Sequence, residues 1–258
     1  MKTTLIERLQ NAARSLGLDI RRARPRPPAA SNVLALTISD VLLRIVRDGG
    51  STSDFAVVQI GANDGITYDP IHRFIVKYGF RGVLVEPQPD AFSKLKKNYA
   101  ALPQIAVEQA AIAEADGEQA MYRFKPGPHL PEWADCLTSF SRETLVNNLH
   151  HVRGEVETIS VPALTFSSLL RKHQLEHVHL LQIDTEGFDD RIVKMIDFRT
   201  IKPTIIQFEI GLLAAQSVHE CYRLLSAHGY KITPNGPDVV AYQEPAEQSL
   251  FDTRAWHE

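Results

Sequence analysis

Short unbroken apolar runs alternate along this chain with stretches whose apolar residues recur every three or four positions. The runs fall at residues 57–60, 82–85, 105–109, 178–183 and 204–208. Continuous apolar character over so few residues predicts strands buried on both faces, as in a parallel sheet. Between them, helical spacing predicts helices over residues 70–78, 89–99, 142–151, 165–171, 189–196 and 218–228. Pro70 and Pro89 suit a first helical turn, and Thr165 suits an N-cap. Further strands are predicted at 119–124, 156–161, 230–233 and 239–242. Asp116-Gly117 reads as a hairpin turn, with 119–124 returning along the strand before it, and Asn235-Gly236-Pro237 as a tight reversal. Strands alternating with helices and closed by a hairpin imply an α/β domain. Its sheet is mostly parallel, with an antiparallel last strand.

Two helices are expected ahead of the first strand. Residues 3–17 carry Leu5, Ile6, Leu9, Ala12, Ala13 and Leu16 at helical spacing, with basic residues opposite. A Pro/Arg linker, Arg21 to Pro28, cannot continue that helix. Residues 33–47 form the second, stopped by Asp48-Gly49-Gly50. The expected division is therefore a helical extension over 1–50 and a single α/β domain over 51–258.

Charge sharpens this division. The chain carries a net charge of −3, yet Lys2, Arg8, Arg14, Arg21, Arg22, Arg24 and Arg26 face only Glu7 and Asp19 at the start. That head is +5, which leaves −8 for the remainder (−3 minus +5). An accessory helix packed on the domain is one reading of the head. A weak membrane-surface contact through a basic amphipathic helix is the other. An acidic body points away from nucleic acid as partner. Cys136 and Cys221 make no CxxC, so neither a disulfide framework nor a zinc site is expected. No apolar run approaches the roughly 20 residues of a membrane span, and no signal-peptide core is visible. The expectation is a soluble cytoplasmic protein, at most peripheral to the inner membrane face.

The chemistry is read from the ends of the apolar runs, because ligands of parallel sheets bind beyond the carboxyl ends of the strands. The first run ends in Gly61-Ala62-Asn63-Asp64-Gly65, and the second in Glu86-Pro87. Strand, glycine turn, helix, strand and acid is the pattern of a fold that holds a nucleoside. The glycines let the backbone approach the ligand, and a carboxylate at the next strand tip can accept from both ribose hydroxyls. A dinucleotide fold wants G-x-G-x-x-G, but Asn63 stands at the second glycine and would obstruct a pyrophosphate. S-adenosylmethionine, with its small zwitterionic end, suits the turn better. Ala110-Ala111 mark the third strand end, Asp184-Thr185-Glu186 the fourth and Glu209 the fifth. Asp184, Glu186 and Glu209 are candidates for a general base, and a pair of them for Mg²⁺. Glu186 also has a plain structural reading as a helix cap. His72 and His129 are the histidines placed to act as bases; His150-His151, His177 and His179 read as surface or core. The aperiodic stretch 125–140 reads as a substrate-facing lid, in which Thr138 and Ser139 could bond a ligand. The lysines at 94, 96 and 97 read as a solvated face. Nucleophilic catalysis has no support, since no G-x-S-x-G elbow appears.

Taken in order, these pieces resemble the FkbM family of S-adenosylmethionine-dependent methyltransferases. The matching segments are Ile60 to Gly65, Val85-Glu86-Pro87, Val161 to Thr165 with Leu169, Leu181 to Phe188, and Glu209, over about residues 54–243. Two positions depart from the pattern: Gln59 replaces a usual Asp, and Gln182 a common Lys. The resemblance implies a Rossmann-like class I methyltransferase fold, with a mostly parallel seven-stranded sheet, an antiparallel last strand and N-terminal helices. It implies methyl transfer to a hydroxyl of a sugar, glycan or natural product. It places Gly61, Ala62, Asn63 and Gly65 on the methionine end of the cofactor and Glu86 on the ribose. It places Ala110-Ala111 on the adenine, Gln59 on the amino group, and Asp184, Glu186 and Glu209 toward the methyl group. Two rivals stand beside it, a nicotinamide-dependent oxidoreductase and a non-catalytic partner module.

Overall fold

In the computed structural model, the structure describes residues 37–47, 52, 54–127, 130, 137–148 and 154–243. The expected helix over 3–17, the linker, the Asp48-Gly49-Gly50 stop, His129, His150-His151 and the middle of the 125–140 stretch lie outside these. All of the described residues fall in one compact unit.

The described chain opens with α1 (Ile38–Arg47) and β1 (Ala56–Ile60), then α2 (His72–Tyr78), β2 (Arg81–Val85), α3 (Pro89–Asn98) and β3 (Ile105–Glu108). A middle section follows with β4 (Ala111–Ile112), β5 (Gly117–Phe124), β6 (Thr138–Ser139), α4 (Arg142–Asn148) and β7 (Val156–Leu164). It closes with α5 (Phe166–Lys172), β8 (Leu180–Ile183), α6 (Asp189–Met195), β9 (Ile205–Glu209), α7 (Ala215–Ala227), β10 (Lys231–Asn235) and β11 (Asp238–Tyr242).

The main sheet runs β10-β11-β9-β8-β1-β2-β3, with β11 antiparallel to both of its neighbours and every other pair parallel. Both faces are covered, which is why the strands read as unbroken apolar runs. On one face Val58, Ile60, Leu181, Ile183 and Phe208 pack with Phe166 and Leu169 of α5, Ile192 of α6 and Leu225 of α7. On the other, Val57, Leu84, Leu180 and Ile205 meet Leu42 of α1, Phe74 of α2 and Leu95 of α3. The chain winds outward from β1 through β2 to β3, then returns to lay β8 against the other side of β1. The gap between β1 and β8 is thus the switch point, where the connections diverge and leave a crevice at the strand ends.

One expectation fails in the middle section. Asp116-Gly117 turns the chain, but β5 does not pair back onto the strand before it. Instead β7 lies between them, in a second sheet of order β4-β7-β5-β6. β5 pairs with β7 antiparallel from Gly117↔Ala163 to Phe124↔Val156, while β4 meets β7 over two residues. The turn is tied elsewhere: Asp116 accepts the Thr165 backbone N–H (2.6 Å) and the Ser168 hydroxyl (2.6 Å). A long strand offering a full ladder outcompetes a two-residue one, and Met121, Val161 and Ala163 bury their side chains together. Thr165 caps α5 as predicted, accepting from the Ser168 N–H. The Asn235↔Asp238 register confirms the last reversal, with Gly236 at φ 63°.

Helix α1 belongs to the core of the domain it precedes, since Ile38, Val41 and Leu42 are buried against Phe55 and Val57. Leu42→Ala is expected to cost about 2–5 kcal/mol, read by urea denaturation with an unchanged slope. A cost below about 0.5 kcal/mol would remove α1 from the core.

Candidate active site

The crevice at the switch point is a cleft of about 940 Å³, within the range of about 300–1,000 Å³ usual for small-molecule sites. Its shape begins with Gly61. This residue sits at φ 82°, and a Cβ there would overlap the carbonyl oxygen of Asp184. The glycine lets the end of β1 turn across the end of β8. The Gly61 and Ala62 N–H groups then both donate to the Val85 carbonyl (2.9 and 3.0 Å), which folds the turn onto β2. Asn63 follows in the left-handed region (φ 51°), where Asn is tolerated better than most side chains.

That conformation aims the Asn63 N–H at Glu86, which accepts it on Oε2 at 2.8 Å and the Gln88 N–H on Oε1 at 2.8 Å. Two bonds use half of the roughly four lone-pair sites of a carboxylate, so Glu86 keeps acceptor capacity for a ligand. It is only 4% exposed, and burial pushes its carboxyl up to about 7 against the pull of the two amides. Gly65 is held from behind. A Cβ there would overlap the Tyr99 ring, whose hydroxyl donates to the Gly65 carbonyl at 3.0 Å. That hydroxyl has one proton, so its 2.9 Å contact with His72 Nδ1 has the imidazole as donor. His72 therefore supports the glycine loop, and it is not among the residues lining the cleft.

Gln59 and Gln182, the two departures from the family pattern, are partners in register on β1 and β8. An acid and a base there would form a pair of opposite charge, and two amides replace them together. The Gln59 Nε2 donates to Asp69 Oδ2 at 3.1 Å, an assignment the acceptor-only carboxylate dictates. That fixes the amide so that Oε1 has no donor. Gln182 Oε1 and Asn63 Oδ1 are likewise buried without a partner. All three residues line the cleft.

The far wall carries the acids. Asp184 is exposed on the cleft floor and Glu186 is half-buried. The protein walls around the cleft floor limit the solvation of Asp184, and this together with the like charges of Glu186, Asp189, Glu209 and Asp238 drives its carboxyl well above the usual range. Burial first, then Asp189, pushes Glu186 up to about 7. Glu186 lies at φ 53°, and the Ser139 hydroxyl donates to its carbonyl (3.0 Å). Ser139 thus clamps the acid-bearing turn from the second sheet, while Thr138 lines the cleft beside it. Glu209 ends β9 next to Gly211 and is not among the lining residues.

Ala110 and Ala111 line the opposite end, near Met121. Lys94, read from sequence as part of a solvated face, lines the rim and is the one basic lining residue among those described. Among the described residues no cluster of three or more His, Cys, Asp or Glu could hold a metal ion. Sequence reading missed Asp69 and Asp189. Asp189 accepts from the Thr185 hydroxyl (2.8 Å) and the Glu209 N–H (3.1 Å), tying the ends of β8 and β9 together. Its only signal was an acid in a first helical turn.

This geometry sits inside a recognised sequence pattern, for the methyltransferase FkbM domain matches residues 59–232, which is 174 of 258 residues. The chain belongs to that family. Among solved structures it is similar to the methyltransferase FkbM of Methylobacillus flagellatus KT, with 12% identity and a TM-score of 0.46 over 74% of this chain and 44% of that one. The chain thus spans less than half the length of that structure. It is also similar to the N-terminal domain of human METTL16, with 14% identity, coverage of 90% and 77%, and a TM-score of 0.41. A third is an RNA methyltransferase from Salinibacter ruber in complex with S-adenosyl-L-homocysteine, with 13% identity, coverage of 84% and 99%, and a TM-score of 0.36. No curated protein matches the chain. The mostly parallel seven-stranded sheet with antiparallel β11 gives this FkbM-family chain the class I methyltransferase fold. No helix among the described residues is long and apolar enough to cross a membrane.

The raised Glu186 carboxyl has a stability consequence. The native state holds its proton more tightly than the unfolded chain, so the group's contribution declines as pH rises from about 4.5 toward 7. Glu186→Gln removes that decline. Its melting midpoint relative to the wild type is expected to rise by a few degrees between pH 5 and pH 8, at roughly 2–4 °C per kcal/mol. A difference that stays constant across that range would contradict the assignment.

Proposed function

We propose that this chain transfers the methyl group of S-adenosylmethionine to a hydroxyl oxygen of a sugar, glycan or natural product. The observation that carries the reading is one cleft holding both orphan acceptors and proton-hungry acids. The buried amide oxygens of Gln59, Asn63 and Gln182 lack donors, and the cofactor is rich in them: an α-ammonium, two ribose hydroxyls and an adenine amino group. Glu86 has acceptor sites left for the ribose, and Ala110 and Ala111 offer a small apolar surface suited to the adenine. When bound, S-adenosylmethionine supplies an electrophilic methyl group on a sulfonium and leaves as the neutral thioether.

The protein's own part is positioning and proton removal. A hydroxyl is a poor nucleophile until its proton goes, and a base titrating near 7 is matched to that task. Glu186 has that character and Asp184 is pushed the same way, so one of them takes the acceptor's proton. Glu209 and Asp189 act from behind, raising the proton affinity of Asp184 by like charge. The basic segment up to Arg26 suits an acceptor held at an anionic surface, and the reading sets the activity in the cytoplasm.

Calorimetric titration with S-adenosylhomocysteine, with NADH as control, tests the reading. Micromolar binding is expected, weakened about tenfold to a hundredfold in Glu86→Ala, the loss of one or two charge-assisted hydrogen bonds. Circular dichroism confirms that the variant is folded. A folded wild type that ignores S-adenosylhomocysteine would overturn it.

A further inference from the structure

Tyr68 is 90% exposed, while the next most exposed large hydrophobic side chain among the described residues, Val76, is at 51%. A lone exposed tyrosine is ordinary surface, but three further facts set this one apart. It lines the cleft. It sits at φ 58°, a conformation costly for a bulky residue. Of the four non-glycine residues in that region among those described, Asn63, Tyr68 and Glu186 line the cleft, and only Gln174 does not.

Carboxylates hold the backbone on both sides of Tyr68. On one side Asp64 accepts the Ile66 and Thr67 N–H groups (2.9 and 2.7 Å) and the Thr67 hydroxyl (2.7 Å). On the other, Asp69 accepts the Ile71 and His72 N–H groups (2.7 and 3.0 Å). Two carboxylate-pinned turns thus flank Tyr68, whose uncovered ring lines the cleft. Strain maintained by such anchoring costs stability without adding to any core, so its return lies in what the ring meets.

We propose that Tyr68 is the platform on which the methyl acceptor lies, and that the acceptor is a saturated hydroxylated ring of the pyranose kind, set C–H face down. This rests on the methyl-transfer reading above. An aromatic face carries negative charge density that attracts the weakly positive C–H groups of such a ring. The ring's rim hydroxyls need acceptors, which Asp184 and Glu186 supply in the same cleft, with the Thr138 hydroxyl beside them. A flat phenolic acceptor would stack equally well but brings fewer hydroxyl donors to those carboxylates than a polyhydroxylated ring does.

The test is saturation-transfer NMR on protein saturated with S-adenosylhomocysteine. The probes are methyl glycosides of glucose, galactose and rhamnose, with sorbitol as the acyclic control. Tyr68→Gly is the informative variant, because glycine is at ease at φ 58° and the loop keeps its fold; Tyr68→Phe keeps the ring. The expected result is transfer to ring C–H protons of at least one glycoside and not to sorbitol. It is retained in Tyr68→Phe and reduced at least fivefold in Tyr68→Gly, with S-adenosylhomocysteine affinity within twofold of wild type. Equal transfer in Tyr68→Gly, or none to any glycoside in the saturated wild type, overturns the proposal. Failure of S-adenosylhomocysteine to bind the wild type instead overturns the methyl-transfer reading on which it rests.

Discussion

Position 61 has no room for a side chain, because the Asp184 carbonyl oxygen occupies the place a Cβ would take. This contact joins the two strands that flank the switch point, and much of the site follows from it. With β1 turning across the end of β8, the Gly61 and Ala62 amides reach Val85, the Asn63 amide reaches Glu86, and Asp184 is brought to the cleft floor. Any larger residue would push β1 and β8 apart at their carboxyl ends. The cofactor end of the cleft and the acid end would then lose their common register.

Five acids line this cleft among the described residues (Asp64, Asp69, Glu86, Asp184 and Glu186), and Lys94 is the one base beside them. Such an imbalance is costly in an enclosed site unless protons or a cation relieve it. Burial pushes Glu86 and Glu186 up to about 7 and raises Asp69 and Asp184, so protons do part of that work. The neutral pair Gln59 and Gln182 adds no charge where an acid and a base would cancel. A cationic ligand completes the balance, and S-adenosylmethionine is cationic where S-adenosylhomocysteine is neutral overall.

The sheet was legible because its strands are buried on both faces, and unbroken apolar runs such as residues 57–60 and 178–183 have few other readings. The site acids at the strand ends were legible for the same reason, since a charge at the end of an apolar run is conspicuous. The second sheet was not. Its strands are short or half-exposed, and the Asp116-Gly117 turn carries a hairpin's composition while its carboxylate is engaged by Thr165 and Ser168, distant in sequence. Asp69, Asp189 and Tyr68 escaped notice because nothing local distinguishes them. Their roles come from residues on other elements, or from a left-handed backbone that a tyrosine does not advertise. His72 shows the converse: its position beside the glycine turn suggested a base, and Tyr99, a residue of the following helix's end, gave it a supporting role instead.

On the proposed function, carboxylates poised near neutrality face the cofactor's positive charge. Calorimetry near pH 7 in two buffers of different ionisation enthalpy measures the protons exchanged on binding. If the claim holds, S-adenosylmethionine releases protons into solution and S-adenosylhomocysteine releases fewer, and Glu186→Gln narrows the difference. Equal proton exchange for the two ligands, unchanged in that variant, would contradict it.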